Sequence, residues 1–154
     1  MAREGLAGDA PLVRELDWLD SLEARRAHVF VGRVGEVDHA RVTLPLLVAR
    51  ECAGSARNPL LLPKYLKGLS DVAGRSEVDA LLRSWRAEST LARATLLAVW
   101  LLGASDESTT WILDDLRARR IQPAALEVLT SGSWDRSAPW ATVSRLLDPL
   151  LASG

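Results

Sequence analysis

Between Leu91 and Leu102 the chain reads Leu-Ala-Arg-Ala-Thr-Leu-Leu-Ala-Val-Trp-Leu-Leu. On a helix, Leu96, Leu97, Val99, Trp100, Leu101 and Leu102 cover almost every direction round the axis, so this element must be surrounded by other helices. The uncharged run from Ala94 to Ser105 is well short of the ~20 residues of a membrane span. It reads as a core helix, and no membrane span is expected. Gly103 ends it, and Ser105 or Asp106 caps the next helix. There Trp111, Ile112, Leu113 and Leu116 face inward before Arg117, Arg119 and Arg120 meet the negative end of the helix dipole.

Other segments repeat this pattern. Pro11 to Ala27 predicts a helix capped by Asp9, with Leu12, Leu16 and Leu19 at helical spacing and Trp18 and Leu22 widening the stripe. His28 to Val34 is short and β-branched, which favours a brief strand or an extended connector. From Asp38 to about Cys52 a helix is expected, with Pro45 either kinking it or delaying its start. If Val42 to Leu44 is extended, it can pair with the preceding apolar stretch as a small hairpin.

Gly54 to Asn58 reads as a loop, followed by a short turn at Leu60 to Leu62 and a helix near Lys64 to Leu69. Ser76 is placed as a cap, with Asp79 and Arg83 paired on one face and Val78, Leu81, Leu82 and Trp85 on the other. Pro123 starts a short helix through Leu129, Ser131 to Ser133 is a turn, and a last helix runs from about Ser137 to Ala152. The expected fold is mainly α: an irregular bundle of about six to eight helices, with room for a short β element near residues 28–44. Residues 1–10 read as a flexible lead-in and 11–154 as a single helical domain.

The 154 residues are 48% hydrophobic and 25% charged, the balance of an ordinary globular protein. Only Lys64 and Lys67 are lysines, and every other long basic side chain is arginine, the bias of a high-GC bacterial coding sequence. A net charge of -1 argues against a broad nucleic-acid surface. Cys52 is the single cysteine, so neither an intrachain disulfide nor a multi-cysteine zinc site is expected, and a reducing, cytoplasmic setting fits best.

Two family resemblances bear on architecture and function. Leu91 to Gly103 with the amphipathic helix after it resembles one helix pair of a HEAT-type solenoid, which implies HEAT-like stacking in part of the fold. Gln122 to Leu129 followed by Ala141 to Gly154 is similar to the outer helices of a winged helix-turn-helix of the MarR kind. That likeness implies a DNA-associated regulator in which Thr142, Ser144 and Arg145 contact the major groove, supported by Arg117, Arg119 and Arg120. Core packing by Val143, Leu146, Leu147 and Leu150 accounts for the same segment.

No catalytic constellation emerges, and neither a cofactor nor a metal is expected. On one unbroken helix His39 and Cys52 are thirteen positions apart, about 20 Å along the axis and on different faces. Cys52 therefore reads as buried and inert. Asp106-Glu107 fits a helix start, and Asp115 to Arg119 fits a surface ion pair. Gly32-Arg-Val-Gly35 lacks the Lys-Ser/Thr ending of a phosphate loop, and Gly68 and Gly74 read as turn positions.

Six tryptophans against one phenylalanine and one tyrosine is an unusual aromatic choice. Trp18, Trp85, Trp100 and Trp111 fall on apolar faces, whereas Trp134 lies in a polar turn with Arg136 and precedes Trp140. The leading expectation is a non-enzymatic interaction module, an adaptor or assembly subunit binding another protein or itself. Its contacts would be Trp134, Arg136 and Trp140, with the apolar phrase Leu60, Leu61 and Leu62. A third reading is a bundle with an apolar ligand pocket among Trp85, Trp100 and Trp111.

Overall fold

The computed structural model describes residues 11–21, 23–24, 26–121 and 144. Seven α-helices occur among them: α1 Pro11–Leu19, α2 Ala27–Val37, α3 Leu44–Cys52, α4 Leu61–Ala73, α5 Arg75–Ser84, α6 Ala92–Leu102 and α7 Asp106–Arg117. No strand occurs among the described residues, so the fold is mainly helical. The contacts cluster into two compact units, Met1–Arg83 and Ser84–Gly154.

In the first unit, the stretch expected to be extended is the helix α2. Its β-branched residues are accommodated because Ala27, Val31 and Val34 share a buried face. The neighbouring helix approaches more closely than side chains allow. A Cβ added at Gly35 would press on the Tyr65 carbonyl oxygen, and one at Gly68 on the Gly32 carbonyl oxygen, both inside 3.0 Å. Gly35 and Gly68 are buried helical residues where α2 crosses α4 backbone against backbone. Gly68 is thus not a turn position.

The helix predicted over 11–27 stops at Leu19 because Asp20 has another task. Its carboxylate is 1% exposed and accepts the Arg57 N–H at 3.0 Å and the Asn58 N–H at 2.7 Å. Arg50 Nη2 reaches the same carboxylate at 3.2 Å, which ties the end of α1 to the loop before α4. Pro45 delays rather than kinks its helix: α3 begins at Leu44 with proline in the first turn, where no backbone donor is lost.

Residues 38–43 are bound by Asp38, which is 2% exposed. Its Oδ1 accepts Val42 N–H at 3.0 Å, and its Oδ2 accepts Thr43 N–H at 2.8 Å and the Tyr65 hydroxyl at 3.0 Å. Burial, reinforced by the Asp38 charge, pushes the Tyr65 hydroxyl well above the usual phenol range. The phenol therefore stays a donor. Tyr65→Phe is expected to destabilise the first unit by about 1 to 2 kcal/mol, read as a lower urea midpoint at unchanged slope.

Pro63 also sits in a first turn, so α4 is one continuous helix rather than a turn followed by a helix. The Asn58 side chain accepts the Leu60 N–H at 3.1 Å just ahead of it. Gly74, at φ +95°, separates α4 from α5 in a conformation few other residues adopt. Because α5 begins at Arg75, Ser76 lies inside the helix, and Asp79 pairs with Arg75 at 2.8 Å rather than with Arg83.

The described part of the second unit, through residue 121, follows the sequence closely. Ala94, Thr95, Leu96, Leu97, Ala98 and Val99 are all buried on α6, six consecutive positions that span every direction round the axis. Gly103 terminates it at φ +83°. Ser105 caps α7 through a reciprocal pair with Ser108: Ser108 N–H donates to Ser105 Oγ at 3.1 Å, and Ser105 N–H to Ser108 Oγ at 2.8 Å. Trp111, Ile112 and Leu113 are buried, as expected, and Leu116 is half-buried. The helices expected after Pro123 and Ser137 lie outside the described residues, apart from Ser144, which is helical.

Candidate functional site

The buried carboxylates among the described residues are Asp20, Asp38 and Asp115, and each is occupied structurally. Asp20 and Asp38 hold loops, as described above. Asp115, on α7, was expected to face solvent and pair with Arg119, yet it is 2% exposed. Arg86 Nη2 reaches it at 2.8 Å and Arg120 Nε also at 2.8 Å. Arg119 instead turns the chain at φ +56° beyond the helix. Burial by itself would raise the Asp115 pKa, but the hydrogen bonds and charges of Arg86 and Arg120 outweigh it and hold the group below its ordinary value. Arg86 also lies 5.9 Å from the Trp111 ring centroid, a cation–π arrangement.

Trp85, Trp111, Thr95, Asp115 and Arg120 line a crevice beside this cluster, and Trp100 is not part of it. It has room for about a single water molecule. Of the arginines assigned to the nucleic-acid reading, Arg117 pairs with Asp114 at 3.2 Å and Arg120 with Asp115, so two of these cations are matched by acids of α7 itself. Ser144 is half-buried, and Thr142 and Arg145 lie outside the described residues.

The apolar phrase before Pro63 faces inward. Leu61 and Leu62 are 4% and 1% exposed, and Leu60 is half-buried, so this segment presents no docking surface. The reason is the helical first turn, which directs Leu61 and Leu62 into the core instead of leaving them on a loop. Trp134, Arg136 and Trp140 lie outside the described residues.

Cys52 closes α3 and is exposed, not buried. His39 is also exposed, on the loop ahead of α3, so the two do not share a helix. No group of three His, Cys, Asp or Glu side chains suited to a metal ion occurs among the described residues. No described helix is long and apolar enough to cross a membrane.

Apolar exposure in the first unit is a feature that sequence reasoning missed. Trp18 and Val29 are each 54% exposed and Phe30 is 38% exposed, although Trp18 was expected to widen a buried stripe. On α2, Val29, Phe30, Arg33 and Val37 follow Arg26 at helical spacing, on a flank turned about 110° round the axis from Ala27, Val31 and Val34. Reading 28–34 as extended concealed this second stripe, since the same residues show one only at a helical period.

No protein-family model, curated protein or solved structure matches the chain.

Proposed function

We propose that this chain is a non-enzymatic helical interaction module, an adaptor or a subunit of a larger bacterial assembly. The observation that carries the reading is the outward stripe of α2, where Val29 and Phe30 stand exposed between Arg26 and Arg33. Aromatic and arginine side chains together are the composition of protein–protein contacts. The buried carboxylates supply no competing chemistry, because Asp20, Asp38 and Asp115 are each taken up in holding backbone or arginine groups. Trp134, Arg136 and Trp140 remain further contact residues of this proposal.

Native co-purification combined with solution mass tests it. The wild-type chain should travel in a complex, and Phe30→Ser should release it with its helical circular dichroism unchanged. Trp134→Ala with Trp140→Ala tests the second set of contacts in the same way. A chain that remains a lone monomer at every concentration and in every native fraction would sink the reading.

A further inference from the structure

We infer that the partner of the α2 stripe is a second copy of this chain, whose α1 supplies the complementary surface. This inference rests on the interaction-module reading and names the occupant of the same site. α2 carries two apolar faces, one closed by the core at Ala27, Val31 and Val34, the other open at Val29 and Phe30. The open face has Arg26 and Arg33 exposed at its edges, and because Glu36 pairs with Arg33 its excess positive charge is that of Arg26. α1 carries two acids, Glu15 and Asp17, against one cation, Arg14, so its net charge is negative. Trp18 is 54% exposed, and Glu15, three positions before it, and Asp17, directly before it, are exposed as well.

Of the four charges named at the two patches, two are engaged within the chain. Arg33 is engaged by Glu36 at 2.6 Å, and Asp17 by Arg50 at 2.8 Å. Arg26 and Glu15 have no ion-pair partner among the described residues. A two-fold contact uses each patch twice, since what one copy offers the other receives. Glu15 and Trp18 of one copy would then meet Arg26, Val29 and Phe30 of the other, and the same pairing repeats across the axis. Aromatic side chains at the centre, with opposite charges at the edges, is an arrangement that fixes register as well as affinity.

Sedimentation equilibrium of the full chain over a concentration series tests this directly. The expected result is a monomer–dimer equilibrium weakened by added salt. Phe30→Ser and Trp18→Ala should each raise the dissociation constant by about tenfold or more. Arg26→Glu should raise it by about three- to tenfold, and adding Glu15→Arg should bring it back to within about threefold of wild type, because the reversed charges again attract. That rescue separates a lost contact from a damaged fold.

A chain monomeric at all concentrations, or a dimer indifferent to Phe30→Ser and to the charge swap, overturns the inference. If the monomeric chain nonetheless co-purifies in a complex that Phe30→Ser dissolves, the second-copy assignment falls and the interaction reading stands. If it co-purifies with nothing, both fall.

Discussion

Alanine at Gly68 should cost the Met1–Arg83 unit about 3 kcal/mol or more, enough to unfold a unit of ordinary stability. The added methyl group would meet the Gly32 carbonyl oxygen inside 3.0 Å, and the obstacle is backbone that cannot rotate aside. Gly35→Ala should act alike, against the Tyr65 carbonyl. The sign is the informative part, because glycine to alanine in a helix ordinarily stabilises by about 0.5 to 1 kcal/mol. Gly32 provides the internal control: a Cβ there lies 3.5 Å from the Lys64 carbonyl oxygen, an ordinary contact. Gly32→Ala should therefore raise the urea midpoint while the other two collapse it. Three equal or three stabilising outcomes would mean that the helices do not cross at these residues.

Asp115→Asn should destabilise the second unit by about 2 to 4 kcal/mol, the range for losing charge-assisted bonds to a buried carboxylate. The lower end is favoured because the Arg86 and Arg120 side chains, 26% and 46% exposed, can turn to water when the carboxylate is gone. Hydrogen exchange of the α7 amides reads this unit separately from the first. The effect should depend on pH with a fixed sign. Since the folded pKa lies below the ordinary 3.8, the stabilisation is complete above 3.8 and disappears as the pH falls through the lower folded value. Wild type and variant should consequently converge in acid. A difference that persisted unchanged at the lowest pH would point to lost packing rather than lost charge.

The parts of the fold legible in the sequence are those specified within one or two turns. The six buried positions of α6, its end at Gly103 and the cap at Ser105 each involve residues close enough in sequence to be seen together. What escaped was specified at a distance. α1 ends early because Asp20 bonds to Arg57 and Asn58, thirty-seven and thirty-eight positions on. α2 looks like a strand by composition, with Val29, Val31, Val34 and two glycines that each cost a helix about 1 kcal/mol. Packing against α4 overrides that local preference, because Gly35, together with Gly68 of α4, allows the close approach. Pro45 and Pro63 show a milder failure. Either could have been a break or a first-turn residue, and only the position of the preceding loop decides. The candidate surface was hidden for the same reason as α2 itself, and Asp115 was misread because Arg86 lies outside its helix.

The crossing at Gly35 and Gly68 has a consequence for how such a protein can change over generations. When two helices are held together by their main chains, the specificity of their union resides in what is missing from the side chains, on one narrow strip of α2. The outward flank, at Arg26, Val29, Phe30 and Arg33, is not part of that close approach, and replacements at Arg26, Val29 and Arg33 should alter stability by no more than about 0.5 kcal/mol each. Recognition can drift at those four positions while the scaffold stays the same, so that paralogues would diverge in whom they bind long before they diverge in how they fold.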